Sequence, residues 1–248
     1  MSSGSDILVT TEQGIMLISF NRPDKKNAIT SSMYEMMTDA LEQAANNDDI
    51  KVVLFAGEGD CFTAGNDIKD FLEFDGKFED TNVIKFIRKL ITLKKPMVAA
   101  VHGNAIGIGT TMLLHCDLVV AAKESTFSMP FVKLGLCPEA SSSLLLPQLT
   151  GYQHAAEILM LGESFNTEKA EKIGFINRVV DTREVRLQAM ALCQKLASLP
   201  NRALSDTKAL LKSPVTTTEQ RFDQEVEKFG QLLSTDESKA IFQAFLNK

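Results

Sequence analysis

The sequence predicts an α/β fold in which buried, largely parallel strands are covered by helices, with a helical region at the C-terminal end. Three observations lead there. Short apolar runs rich in β-branched residues, Lys51 to Ala56 and Met97 to Val101, alternate with longer amphipathic stretches. The segment from Pro96 to Ala122 leaves one such run, passes His102-Gly103, Gly107 and Gly109, enters an apolar stretch, and reaches a further run at Leu118 to Ala121. That is the pattern of a strand, a glycine-permitted tight turn, a buried helix start and another strand. After Val180 the apolar residues recur at intervals of three and four, which is helical spacing.

Taken in order, Ile15 to Phe20 alternates as a strand does, with Thr10 to Gly14 as the turn before it. Ser31-Ser32 caps a helix whose apolar face takes Met33, Met36, Met37, Ala40, Leu41 and Ala44. Val52 to Phe55 is the next strand. Asp67 to Phe74 reads as a short helix, Asp75 to Thr81 as a polar loop, and Val83 to Leu93 as the amphipathic helix leading to the strand at Met97. Ser141-Ser142-Ser143 caps a helix entering Leu144 to Leu149. Four more helices are expected, over Val185 to Leu199, Ala203 to Leu211, Glu219 to Leu233 and Asp236 to Leu246, separated by turn signals that include Pro200 and Ser213-Pro214. The division expected is a flexible N-terminus over residues 1–6, a core domain over 7–183 and a C-terminal helical region over 184–248. Short amphipathic helices cannot bury both of their faces alone, so this tail needs a surface to cover.

Composition excludes several classes of function. With 248 residues and 44% of them hydrophobic, the chain can build a sizeable core and is not disordered. Lys and Arg number 26 against 32 Asp and Glu, a net charge of −6, and no polybasic cluster is present, which excludes nucleic acid as the main partner. An anionic small molecule remains compatible, because a few local lysines suffice. No apolar run approaches the roughly 18–20 residues of a membrane span. Met1 to Asp6 lacks the charged and apolar regions of a signal peptide, and the chain does not end in Ser-Lys-Leu, so a cytoplasmic location is expected. Cys61, Cys116, Cys137 and Cys193 form no CxxC pair, which fits a reducing compartment.

The familiar catalytic motifs are equally informative by their absence. His102, His115 and His154 are the three histidines, and none has metal-ligand spacing to another His or Cys, so no metal is expected. No G-x-S-x-G elbow occurs. Gly107-Ile108-Gly109-Thr110-Thr111-Met112 lacks the third glycine of a dinucleotide fingerprint, and no G-x-x-x-x-G-K-[ST] is present. The glycine turn has two readings on its own. It can free backbone N–H groups at a helix start, aimed at an oxygen that becomes negative during a reaction, or it can simply let the helix approach the strand.

Four segments in order carry a resemblance. They are Ile18-Ser19-Phe20-Asn21-Arg22-Pro23 with Lys26-Asn27-Ala28; Phe62-Thr63-Ala64-Gly65-Asn66-Asp67-Ile68; His102-Gly103-Asn104-Ala105-Ile106-Gly107-Ile108-Gly109; and Phe127-Ser128-Met129-Pro130 through Leu134-Gly135-Leu136-Cys137-Pro138-Glu139. Together they resemble the enoyl-CoA hydratase/isomerase (crotonase) superfamily, over nearly the whole chain. The resemblance implies a crotonase (ClpP/crotonase-like) fold of repeated β-β-α units, and a C-terminal helical region that packs on neighbouring subunits of a homotrimer or a dimer of trimers. It implies an acyl-CoA thioester as substrate, with CoA entering as part of that substrate and no separate cofactor.

Transferred position by position, the resemblance makes the backbone N–H groups of Asn66 and Ile108 an oxyanion hole. It places Lys25, Lys26 and Ala28 in the CoA-contacting loop, Ala64 and Ile68 beside the adenine, and Gly107 in the oxyanion turn. Asp67 is either a ligand contact or a helix cap, and Phe131 and Met129 line the acyl pocket or belong to ordinary core. Hydratases of the family carry two glutamates, at positions matching Thr111 and Phe131, and neither is a carboxylate here. A glutamate stands instead at Glu139, in Pro138-Glu139-Ala140-Ser141-Ser142, which resembles the single catalytic glutamate of the monofunctional 3-enoyl-CoA to 2-enoyl-CoA isomerases. Those enzymes usually have glycine where Ala140 stands. Moving a double bond needs one base to take a proton from C2 and return it at C4, whereas hydration also needs a positioned water. Without the resemblance, Glu139 is read as a carboxylate favoured by a helix N-terminus.

Overall fold

In the computed structural model, residues 5–69, 78–213, 218–233, 235, 236 and 240 are described. The main sheet has six strands in the order β1-β2-β3-β4-β6-β9: β1 (Ile7–Glu12), β2 (Ile15–Phe20), β3 (Val52–Gly57), β4 (Met97–Val101), β6 (Leu118–Ala122) and β9 (Arg178–Val180). β1 runs antiparallel to β2, and every other pairing is parallel. A second, three-stranded sheet joins β5 (Asn104–Ile106), β7 (Thr126–Ser128) and β8 (Phe165–Asn166).

Period-two alternation explains why these runs are apolar throughout: both faces of the main sheet are covered. Met16, Ile18, Phe20, Val53, Phe55, Ala99 and Val101 face one cluster, shared with α1 (Ser31–Asn46) and α2 (Asn82–Thr92). Ile15, Val52, Leu54, Ala56, Val98, Ala100 and Val120 face the other, which is closed by Val185, Ala189, Leu192 and Cys193 of α7 (Val185–Ala197). The helices between them in the chain are α3 (Ile108–Thr111), α4 (Ser142–Thr150), α5 (Tyr152–Leu161) and α6 (Thr167–Lys172), and α8 (Asn201–Lys212) and α9 (Thr218–Leu233) follow α7. A helical region drawn from residue 184 therefore includes the helix that completes the core.

The repeated unit is visible in how the two sheets are fed. β4 leads into β5 and then α3, and β6 leads into β7 and then a 3-10 turn over Phe131–Leu134. β3 leads to Thr63, which bridges Ala105 of β5, and then to a helix start at Ile68. Each unit crosses the main sheet, adds a short parallel rung to the second sheet, and turns into a helix.

Several local expectations change. Thr10 to Glu12 belong to β1, paired with Ile15 to Leu17, so the turn is Gln13-Gly14 alone, with φ 51° and 78°. The cap of α1 is Thr30, whose hydroxyl accepts from Met33 N, rather than Ser31 or Ser32. Tyr34 is buried in α1 while Met36 lies at the exposed margin. The short strand β5 escapes sequence reading because three residues are too few to show a period. Only Ile68 and Lys69 of the helix expected over Asp67 to Phe74 are described, and the expected helix over Asp236 to Leu246 lies almost wholly outside the described residues.

Candidate active site

Two consecutive repeat units place two backbone N–H groups side by side. Thr63 N donates to Asn104 O and Ile106 N to Thr63 O, so the Thr63–Asp67 segment runs along the β5 strand that leads into α3. Gly65 has φ +88°, and a Cβ there would stand 2.6 Å from Ile106 O. This close approach admits only glycine. Gly107, at φ +58°, turns the chain from β5 into α3 while its N–H donates to Ser128 O. Thr110 N and Thr111 N both return to Gly107 O, and the Ile108 N–H at the helix start has no acceptor among the described residues. The Asn66 N–H likewise has no acceptor among the described residues, although its neighbours are paired: Ile29 N donates to Gly65 O and Asp67 N to Ile29 O.

The carboxylate of Glu139 joins this element. Thr111 Oγ1, three residues after Ile108, donates to Glu139 Oε1 at 2.7 Å. Burial raises the Glu139 pKa to about 7, against the hydrogen bond from Thr111, which lowers it. Ser142 N and Oγ both donate to the Glu139 carbonyl, at 2.8 and 2.6 Å. The two residues after Glu139 are left-handed, Ala140 at φ 50° and Ser141 at φ 57°. His115 Nε2 donates to the Ala140 carbonyl at 2.8 Å. Burial also lowers the His115 pKa, so the ring is neutral at pH 7. Ala140 therefore holds a backbone conformation that glycine would adopt without strain.

The loop expected to meet CoA is tied to the same site. Ala64 N donates to Lys26 O, and Thr63 Oγ1 donates to Asn27 O. Asn27 is fully buried, and its Nδ2 reaches the carbonyls of Glu58, Cys61 and Phe62. Lys25 and Lys26 are exposed, Ala28 and Ala64 half-buried, and Ile68 is exposed. Of the two readings of Asp67, the structure shows the helix cap. Its Oδ2 accepts from Arg22 Nη1 at 2.7 Å and its Oδ1 from Lys69 N, and these bonds hold its carboxyl below the usual carboxylate range. Asp67 thus caps the helix start and latches the 22–28 loop to the Asn66 turn. Phe131 is buried in the main cluster along with Met129.

Sequence reading missed Arg22, Asn27, Tyr34 and His115 as supports of the site, and saw in Thr111 only a missing carboxylate. Tyr34 donates from its hydroxyl to Asn66 Oδ1, which fixes the side chain of the turn whose N–H is free. None of these pairs has a local spacing, since their partners lie between 5 and 45 residues away. Asp70 and Glu73, which a hydratase or hydrolase reading of the sequence would need as acid/base, lie outside the described residues. No helix among the described residues is long and apolar enough to cross a membrane, and no three His, Cys, Asp or Glu side chains among them are grouped to hold a metal ion.

Residues 10–248 match the model of the family described as enoyl-CoA hydratase/isomerase. Enoyl-CoA delta isomerase 2 of Rattus norvegicus is 36% identical over 212 residues, covering 83% of this chain and 54% of that protein. The chain therefore spans about half the length of that relative. The 2,3-dehydroadipyl-CoA hydratase of Escherichia coli is 30% identical over 247 residues, covering 98% of this chain and 96% of that protein. A solved structure from Magnetospirillum magneticum AMB-1, titled a putative enoyl-CoA hydratase/carnithine racemase, is 41% identical with a TM-score of 0.95, covering 100% of this chain and 97% of that one. The chain belongs to the enoyl-CoA hydratase/isomerase family, has its crotonase fold, and resembles the isomerases within it.

Proposed function

We propose that the protein is an acyl-CoA isomerase that moves a C3–C4 double bond to C2–C3, converting 3-enoyl-CoA to trans-2-enoyl-CoA. The observation that carries this reading is the pairing of Glu139 with Thr111. One carboxylate reaches the helix whose first N–H has no acceptor among the described residues, and a threonine stands where the family resemblance implies a hydratase glutamate. In this mechanism the thioester oxygen sits between the N–H groups of Asn66 and Ile108, which stabilise the enolate formed as C2 loses a proton. Losing one such donor typically costs about 2.7–4 kcal/mol of barrier. Glu139 takes the proton from C2 and returns it to C4, and a pKa of about 7 suits a group that must both accept and give up a proton near neutrality.

The exposed Lys25 and Lys26 would meet the CoA phosphates, and no cofactor beyond the CoA of the substrate is needed. An idle acyl-CoA-binding homologue has no use for a desolvated carboxylate beside the free N–H groups. A trimer or dimer of trimers, which the family resemblance implies, is part of the proposal, and Leu211 of α8 with Phe222, Val226 and Phe229 of α9 supplies exposed apolar surface for a neighbouring subunit to cover.

Incubation with 3-hexenoyl-CoA and, separately, 2-hexenoyl-CoA tests the reaction class by chromatography of the products. The proposal expects 2-hexenoyl-CoA from the first and no 3-hydroxyacyl product from the second. A hydrated product from 2-hexenoyl-CoA, with no isomerisation of 3-hexenoyl-CoA, would point to a hydratase whose acid/base lies elsewhere.

A further inference from the structure

The segment that supplies the Ile108 N–H also grips the loop of the base at two successive residues. Thr111 holds the Glu139 side chain and His115, four residues on, holds the Ala140 carbonyl. We propose that Thr111 is a positioning residue for Glu139: its hydroxyl anchors Oε1 and leaves Oε2 as the one oxygen that moves the proton. The proposal rests on the isomerase reading and deepens it.

A threonine hydroxyl has one proton to donate. Thr111 is fully buried, so water does not compete for that proton. Its own helix offers the Ile108 carbonyl only at 3.5 Å, against 2.7 Å for Glu139 Oε1, so the short charge-assisted bond takes it. Oε2 has no protein partner among the described residues. The backbone around the carboxylate is also held, because Ser142 binds the Glu139 carbonyl and His115 the next one. The clamp therefore fixes the carboxylate relative to Ile108, on whose helix it is anchored.

The proton balance follows directly. The C2–H bond breaks, its proton goes to Oε2, and its electron pair enters the dienolate whose oxygen is held at the N–H groups. The O–H bond at Oε2 then breaks and C4–H forms, while the electrons shift to make the C2–C3 double bond. One oxygen serves both ends of the allylic system, and no co-reactant is consumed. The charged groups near His115 are engaged with partners other than Glu139. Lys212 Nζ donates to the His115 carbonyl, and Lys208 pairs with Asp117 at 2.8 Å. Neither contributes to the shift of Glu139, which has burial and the Thr111 bond as its two causes.

The test compares Thr111→Val, which keeps the shape and removes the hydroxyl, with Thr111→Ser, which keeps the hydroxyl. Glu139 is titrated by infrared difference spectroscopy of its carboxyl group, assigned by subtracting Glu139→Gln, and this readout needs no turnover. Thr111→Val should raise the Glu139 pKa by about one pH unit, because it removes a hydrogen bond to the charged form. It should lower kcat at pH 7 roughly fivefold with KM nearly unchanged, recovering at higher pH, while Thr111→Ser keeps the wild-type profile. If circular dichroism shows that the valine variant has lost its fold, Thr111→Ala carries the same comparison. An unchanged titration in the hydroxyl-free variant overturns the anchor. A shifted titration in a protein that never isomerises 3-hexenoyl-CoA upholds the anchor and overturns the isomerase reading instead.

Discussion

Replacing Glu139 with glutamine should make the protein more stable at alkaline pH, and the size of the gain follows from the site. Burial holds the folded-state pKa at about 7, above the ordinary value of 4.5, so the folded protein binds this proton more tightly than the unfolded chain. Stability from the protonated acid is fully present below pH 4.5 and is lost as pH rises through 7. Across 2.5 pH units, at 1.36 kcal/mol each, the buried charge costs roughly 3 kcal/mol at pH 8. Glutamine keeps the shape and an acceptor oxygen for Thr111 without ever charging. Glu139→Gln should therefore exceed the wild type by up to about 3 kcal/mol at pH 8, or roughly 6 °C or more in Tm for a chain of this size. At pH 5.5 the advantage should shrink by about 2 kcal/mol, because most of the wild-type acid is then protonated in the fold. Urea denaturation and thermal melts of both proteins at the two pH values measure this. A glutamine variant no more stable than wild type at pH 8, or an advantage that does not narrow at pH 5.5, would refute a desolvated Glu139.

Four further substitutions, at three positions, probe the supports of the site. Gly65→Ala should destabilise by about 2 kcal/mol or more in urea titrations, because φ +88° and a Cβ contact of 2.6 Å with Ile106 O both oppose it. Ala140→Gly should leave stability within about 1 kcal/mol, as relief of the left-handed backbone is offset by the lost methyl burial and by glycine's chain entropy. Ala140→Val, β-branched at φ 50°, should cost about 2 kcal/mol or more in the same denaturation series and lower kcat by moving Glu139. Arg22→Ala removes the bonds to Asp67 and to the Ala28 carbonyl and should raise KM for an acyl-CoA about fivefold with kcat retained, measured by steady-state kinetics.

Much of this fold was legible because its signals are local. The strands β2, β3, β4 and β6 are apolar runs bounded by turns, and α1 and α2 show helical spacing, so their existence follows from periodicity. β1 was hidden because it shows no buried–exposed alternation: Ile7 is buried and the five residues after it are exposed. β5 and β7 were hidden because each is three residues long and is defined by its partner rather than by its own pattern. α7 looked like part of an appendage because a helix's spacing does not say which surface it covers, and the second face of the sheet proved to be that surface. The site divides in the same way. Gly65, Gly107 and Glu139 stand in segments that can be read from the chain. The Thr111, His115, Tyr34 and Arg22 contacts join residues that meet only after the units stack. Asp67 illustrates the cost of reading it alone, since its long-range partner Arg22 decides its role.

The proton-shuttle role of Glu139 is tested most directly by turnover of 3-hexenoyl-CoA in Glu139→Gln, with binding of a non-reactive acyl-CoA measured alongside. Glutamine keeps the size of the side chain and cannot carry a proton from C2 to C4, while the main-chain N–H groups of Asn66 and Ile108 stay in place. Turnover should fall by roughly 10²–10⁴-fold, as for loss of a positioned acid/base, and the affinity for the non-reactive ligand should be nearly unchanged. Near-normal turnover in the glutamine variant would contradict the single-glutamate mechanism.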